Sequence, residues 1–214
     1  MKKYGCIGKK LTHSFSKEIH NELADYEYEL IELTEEEIQP FFQKKDFEAI
    51  NVTIPYKQTV IPYLDSVSDI AQRISAVNTI VNKNGELYGY NTDYYGLKAL
   101  IERVGIDLNC KKVLVLGTGG TSKTACVVAT DMGASEVIVV SRRKTDCYIT
   151  YEEVIKFHSD ANVIINTTPL GMTSVDTDSR MCLEERKAII GRLGVGQWQI
   201  FGAHGFKKDY SVNS

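Results

Sequence analysis

Long apolar runs are missing from this chain: no stretch approaches the roughly 20 residues that a bilayer-spanning helix needs, which argues against a membrane protein. A strong excess of one charge is missing too. The 25 Lys and Arg nearly balance 28 Asp and Glu, leaving a net charge of -3, so neither nucleic acid nor an anionic membrane is an expected partner. There is no C-x-x-C pair. The five cysteines (6, 110, 126, 147 and 182) are odd in number and scattered, which points to reduced thiols in a cytoplasmic protein rather than a disulfide framework or a zinc knuckle. His13, His20, His158 and His204 lack ligand-like spacing, so no metal site is expected. The opening Met1-Lys2-Lys3-Tyr4 leads into strand-like sequence without the apolar core of a signal peptide, again the pattern of a cytoplasmic chain.

What is present is the composition of a globular protein, with 43% hydrophobic and 25% charged residues. Its 214 residues suffice for one large domain or two small ones. Strand and helix signals alternate. Tyr4 to Gly8 is a short apolar run ending in glycine. Phe15 to Ala24 places Phe15, Ile19 and Leu23 at intervals of four, which predicts an amphipathic helix capped by Ser14 or Ser16. Tyr28 to Leu33 reads as a strand, and Thr34-Glu35-Glu36-Glu37 as a capping box opening the next helix. Strands follow at Ala49 to Ile54, Ala76 to Val81 and Glu86 to Tyr90, the last two joined by the hairpin turn Asn82-Lys83-Asn84-Gly85. A helix over Tyr94 to Val104 carries Leu97, Leu100, Ile101 and Val104 on one face and ends at Gly105.

A second unit opens at Lys111. Val113-Leu114-Val115-Leu116 is apolar throughout, as in a parallel strand buried on both faces. Gly117-Thr118-Gly119-Gly120-Thr121-Ser122 follows at once, then a helix-like Lys123 to Met132 and further apolar strands at Glu136 to Ser141 and Ala161 to Asn166. A lone G-x-G-x-x-G match carries little weight, and here Ser122 replaces its third glycine. The flanking strand and helix are what the dinucleotide fingerprint requires, and a small Ser122 still lets helix pack on strand. Where an NAD-binding unit carries an acidic residue at the end of its second strand, this chain has Ser141-Arg142-Arg143-Lys144. Cations there attract a 2′-phosphate, an arginine offering a planar fork to its oxygens, so NADP is the expected cofactor, and the first two glycines allow close approach of its pyrophosphate.

The most informative stretch is Asn51-Val52-Thr53-Ile54-Pro55-Tyr56-Lys57. A strand stops at a proline that cannot continue a ladder, and strand ends present polar side chains to ligands, so Thr53 and Lys57 are site candidates. From Tyr4 to Met172 the chain resembles the shikimate dehydrogenase family. Ile7 to Ser16 is similar to its serine-rich loop, with His20-Asn21 in the expected place. Asn51 to Lys57 is similar to its N-V-T-x-P-x-K motif, Ala76-Val77-Asn78-Thr79 to its A-V-N-T motif, and Gly89-Tyr90-Asn91-Thr92-Asp93 to its G-x-N-T-D motif. Ile165-Asn166-Thr167-Thr168-Pro169-Leu170-Gly171-Met172 is similar to the segment lining the nicotinamide site. The resemblance implies Ser14 and Ser16 on the substrate carboxylate, Thr53 and Asn78 as further substrate ligands, and Lys57 with Asp93 as the catalytic pair. It implies Gly117, Gly119, Gly120 and Arg142 at the cofactor, with Thr167 and Met172 beside it. The implied reaction is NADP-dependent interconversion of 3-dehydroshikimate and shikimate in aromatic amino acid biosynthesis. Read from the residues alone, Asp93 would cap the helix that starts at Tyr94, a role compatible with catalysis.

The expected architecture is α/β: an N-terminal α/β substrate domain over residues 1–104, an incomplete Rossmann NADP-binding domain over 105–172, and an atypical tail over 173–214. The tail holds one helix-like piece, Met181 to Ile190, and otherwise has the composition of a poorly ordered terminus. The family's C-terminal helix, with its substrate-binding glutamine, has no counterpart there. Three further readings follow: a truncated non-catalytic remnant, an NADP-binding sensor on the same scaffold, or a quinate/shikimate dehydrogenase. The expected partner is a small-molecule substrate, with a homodimer as the assembly to be tested.

Overall fold

Parallel pairing around one central strand organises the first half of the chain. The structure is a computed structural model that describes residues 3–11, 16–23, 25–168 and 200–202. The chain divides into two compact units, Met1–Tyr95 and Gly96–Ser214. The first contains β1 (Tyr4–Gly8), α1 (Ser16–Leu23), β2 (Tyr28–Glu32), α2 (Glu35–Lys44), β3 (Ala49–Val52), β4 (Ser66–Val67), α3 (Asp69–Ile74), β5 (Thr79–Lys83) and β6 (Glu86–Tyr90). They form a mixed sheet of order β2-β1-β3-β5-β6-β4. β1 runs parallel to β2 and β3, while β5 is antiparallel to β3 and β6. The β5–β6 hairpin turns through Asn84 (φ 55°) and Gly85 (φ 88°), the residue types that tolerate left-handed backbone. Ile38 and Phe42, one turn apart on α2, join Ile7, Ile50, Val52, Ile80 and Leu87 of the sheet in one core.

α4 (Asp93–Arg103) leads into the second unit, which holds β7 (Lys112–Leu116), α5 (Gly120–Asp131), β8 (Glu136–Ser141), β9 (Ile149–Thr150), α6 (Tyr151–Phe157), β10 (Val163–Asn166) and β11 (Ile200–Gly202). Every pairing in this sheet is parallel and the order is β11-β10-β7-β8-β9. Counted from β7, that is strand order 3-2-1-4-5, the Rossmann arrangement, which switches direction between β7 and β10. Val113, Leu114 and Val115 are completely buried, as a two-sided parallel strand requires.

Several elements differ from the sequence expectations. β3 ends at Val52, two residues before the predicted strand end, and β5 starts at Thr79 rather than Ala76. The predicted apolar face of α1 is not buried: Ile19 is 54% and Leu23 74% exposed, and Phe15 lies outside the described residues. Spacing alone made the face amphipathic, but nothing among the described residues covers it. Ser16 is the first residue of α1 rather than its cap. β4, α3, β9 and α6 were not anticipated, because each spans only two to seven residues. α6 nevertheless carries a legible signal, since Thr150 and Glu153 form a reciprocal capping box. In the tail, residues 200–202 add β11 to the sheet beside β10, whereas Met181 to Ile190 lies outside the described residues.

Candidate active site

The loop after β3 is fastened along its length. The Thr53 amide donates to Ile7 O at 3.0 Å, the Tyr56 amide to Thr53 O at 2.9 Å, and the Val77 amide to Lys57 O at 2.7 Å. Tyr56 is buried and its hydroxyl donates to Leu33 O at 2.6 Å. Gly8 makes room for this loop: a Cβ there would lie 2.7 Å from Thr53 Cγ2 and 2.8 Å from Leu11 Cδ2, closer than side chains tolerate. Lys57 therefore leaves a backbone held from both sides. Its Nζ donates to Asp93 Oδ2 at 2.6 Å, with the lysine side chain 15% exposed and the aspartate 39%. The ammonium is largely shielded and the carboxylate faces partly outward, so a ligand can reach the pair.

Asp93 can hold Lys57 because another residue takes over the helix start. Asn91, almost completely buried, accepts from the Tyr94 amide through Oδ1 at 3.2 Å and donates from Nδ2 to Ala76 O at 2.9 Å. The capping role expected of Asp93 thus falls to Asn91. A carboxylate in the first turn of α4 is still favoured by the helix dipole.

Asn78 follows Val77, whose amide donates to Lys57 O, and its own carbonyl accepts from Val52 N at 2.8 Å. Its side-chain Oδ1 accepts from the Thr92 amide at 2.8 Å, and its Nδ2 donates to Thr92 Oγ1 at 2.9 Å. Behind it stand Thr79, Asn51 and Tyr28, polar residues whose place in the site was not anticipated. Ser16 is half-buried at the start of α1. Ser14 lies outside the described residues. Burial pushes the Cys6 thiol up to about 11, against a smaller opposing pull from Lys57, so Cys6 is a neutral packing residue near the lysine.

A second group of predicted residues gathers at the switch point of the other sheet. Gly117 leaves β7 with φ 109°, a conformation that suits glycine, and a Cβ there would lie 2.9 Å from Thr167 Oγ1. Thr167 is itself fixed, donating through its amide and hydroxyl to Leu116 O at 2.9 and 2.7 Å. Among the described residues, a Cβ on Gly119 would meet nothing within 4 Å, which leaves the N-terminus of α5 open to a ligand on that side. Of the three cations after β8, Lys144 is ion-paired to Glu153. Arg142 and Arg143 are exposed and have no acidic partner among the described residues. An open helix start, a glycine turn and unpaired guanidinium groups fit a dinucleotide that carries a 2′-phosphate. Met172 lies outside the described residues.

Comparison with known proteins finds the same two halves. Residues 6–80 match the shikimate dehydrogenase substrate binding domain. A protein named shikimate dehydrogenase (NADP(+)) from Clostridium beijerinckii is 39% identical over 189 residues, covering 80% of this chain and 69% of its own length. Its namesake from Caldicellulosiruptor bescii is 34% identical over 194 residues, with 80% and 67% coverage. The crystal structure of shikimate dehydrogenase 1 from Peptoclostridium difficile superposes with a TM-score of 0.80 at 33% identity, covering 94% of this chain and 77% of that one. The Thermus thermophilus shikimate 5-dehydrogenase, solved in complex with NADP(H) and shikimate, gives a TM-score of 0.70 at 28% identity, with 80% and 70% coverage.

Proposed function

Because this chain belongs to the shikimate dehydrogenase family, we propose that it catalyses the reversible NADP-dependent reduction of 3-dehydroshikimate to shikimate, a step of aromatic amino acid biosynthesis. The observation that carries the proposal is the 2.6 Å contact between Lys57 Nζ and Asp93 Oδ2 on a fastened loop. Reducing the ketone adds a hydride to the carbonyl carbon and a proton to its oxygen; the reverse reaction removes both. NADP, when bound, supplies the hydride carrier. Lys57 holds the proton and delivers it to the substrate oxygen, or takes it back in the oxidative direction, while Asp93 orients the amine and balances its charge. Ser14 and Ser16 hold the substrate carboxylate in this reading, and Thr53 and Asn78 the ring hydroxyls; one amide proton of Asn78 has no partner among the described residues. In the second unit, Gly117, Gly119 and Gly120 let the pyrophosphate approach the start of α5, Arg142 holds the 2′-phosphate, and Thr167 and Met172 flank the nicotinamide.

The substrate role is assigned to residues 1–104 and the cofactor role to 105–172. A cytoplasmic location belongs to the same reading; among the described residues the four cysteines are free and no helix is long and apolar enough to cross a membrane. A homodimer belongs to the same proposal and predicts twice the chain mass in sedimentation equilibrium. The functional reading is tested by incubating the purified chain with shikimate and NADP and following reduced nicotinamide, with quinate in a parallel arm. Turnover of shikimate supports it. Cooperative folding with NADP binding but no turnover would make the chain a sensor or remnant instead.

A further inference from the structure

The carboxylate of Glu153 stands at the strand end where a dinucleotide-binding unit reads the ribose. β8 and β9 run side by side, and their last pair sets Ser141 beside Thr150. Neighbouring strands lie about 4.8 Å apart, so a group bonded to Thr150 is close to the end of β8. Glu153 Oε2 accepts from the Thr150 amide at 2.9 Å, which brings a negative charge back from the first turn of α6 to that edge. An acid at the end of this strand is the mark of an NAD-binding unit, where it holds the ribose 2′-hydroxyl. The sequence places no acid at the end of β8 itself, and the fold supplies one from the next helix. A 2′-phosphate held by Arg142 would have that carboxylate close by.

Lys144 cancels that charge. Its Nζ donates to Glu153 Oε1, the oxygen that Thr150 does not use. Lys144 first, and the Thr150 amide second, hold the Glu153 carboxyl below the ordinary carboxylate range, so it is ionised at neutral pH. The turn around Lys144 is fastened: Ser141 Oγ accepts from the Arg143 amide at 3.2 Å, and the Thr145 and Tyr148 amides each donate to the other's carbonyl, at 3.2 and 3.4 Å. Arg142 and Arg143 in the same turn are exposed, with no acidic partner among the described residues. Two of the cations are thus free for an anion, and the third is committed to a carboxylate.

We propose that Lys144 sets cofactor choice without touching the 2′-phosphate: by neutralising Glu153 it lets a carboxylate that caps α6 stand beside the phosphate site. The inference rests on the assignment of the 2′-phosphate to Arg142 made above. Without Lys144 the same carboxylate repels NADP and is free to accept the ribose 2′-hydroxyl of NAD, so the preference between the two cofactors narrows. A unit charge roughly 8 Å from a dianion changes affinity by about fivefold in water at low salt, which sets the size of the effect.

The test is calorimetric titration of the full chain with NADP and with NAD, without shikimate and at low salt. Lys144→Ala should bind NADP about fivefold more weakly than the parent, and NAD no more weakly. Raising the salt to about 0.5 M should erase most of that loss, because the effect acts through space. Glu153→Gln keeps the cap of α6 through its amide oxygen. Added to Lys144→Ala, it should restore NADP binding to within about twofold of the parent. Glu153→Gln alone should bind NADP at least as tightly as the parent, and Lys144→Arg, which keeps the charge, should match the parent with both cofactors. A lysine that touches the phosphate directly would leave the double variant as weak as Lys144→Ala, and that result overturns the proposal. So does a Lys144→Ala that binds NADP as the parent does, or a Glu153→Gln that binds it more weakly. A parent that binds NADP no better than NAD, or an Arg142→Ala that binds NADP unchanged, instead overturns the placing of the 2′-phosphate and the role of Lys144 with it.

Discussion

A lysine and an aspartate 36 positions apart in sequence meet at 2.6 Å because neighbouring residues take up every competing task. Tyr56 and Val77 fix the loop backbone on either side of Lys57, and Asn91 caps α4 so that Asp93 need not. Both members of the pair were legible in the sequence, from a strand end and from two family-like motifs. The capping assignment was not: Asn91 and Asp93 both suit a helix start, and only the fold shows that the buried amide reaches the Tyr94 N–H. Tyr28 was likewise silent, since its partner Asn51 lies 23 positions away and no local pattern joins them. At the cofactor half, the basic run after β8 reads as three equivalent cations, but Lys144 is tied to Glu153 and Arg142 is not. Replacing Arg142 with alanine should therefore raise KM for NADP about tenfold or more, as expected for loss of a charge-assisted bond, while KM for NAD stays nearly constant. Steady-state kinetics with the two cofactors measures both, and an equal change for each would remove Arg142 from the 2′-phosphate site.

Among the elements, the two halves differ in how much sequence pattern they carry. β6 and β8 fall where they were expected, because long alternating or fully apolar runs leave little choice of register. α1 shows the converse: a correct helix whose apolar residues stay exposed, since periodicity predicts a face but not what covers it. α6 has a start signal in Thr150-Tyr151-Glu152-Glu153, but its seven residues are too few to show a periodic face. Thr150 Oγ1 accepts from the Glu153 amide at 3.3 Å, and Glu153 Oε2 accepts from the Thr150 amide at 2.9 Å. Thr150→Ala should cost about 1 kcal/mol of stability, read from denaturant unfolding, and Thr150→Ser should restore most of it. A loss confined to the alanine variant identifies capping as the cause; no loss in either would mean that α6 is held by the buried Tyr151 and Val154 alone.

Taken as a whole, the molecule builds two sheets with separate cores, and its stability should depend on pH through carboxylates that join distant segments. Asp65 is one. Its Oδ2 accepts from the Leu87 amide at 2.8 Å and from Lys45 Nζ at 3.2 Å, joining the end of α2 to β6. The Leu87 N–H first, and Lys45 second, hold its carboxyl below the ordinary carboxylate range. A depressed value in the folded state means that the stabilisation is present above the ordinary value of about 4 and is lost as pH falls through the depressed one. Asp65→Asn should thus lower the melting temperature at neutral pH and lose most of that effect in acid. A pH-independent difference would show that the charge of Asp65 contributes nothing. The α/β order of the sequence predicted both sheets, and the strand order around β7 could be inferred from the glycine turn. β11 could not, because three residues after a long uncharacteristic segment carry no periodic signal.

The central claim is that Lys57, held by Asp93, moves the proton when shikimate and NADP react. It is tested most directly by comparing initial rates of reduced-nicotinamide formation for the parent chain and Lys57→Ala, both shown to be folded by a cooperative melt. The account predicts turnover by the parent and a kcat/KM lower by about 10²- to 10⁴-fold in the variant, the range of a lost general acid–base group. Equal rates in the two proteins, or a folded parent that binds both ligands and transfers no hydride, would contradict it.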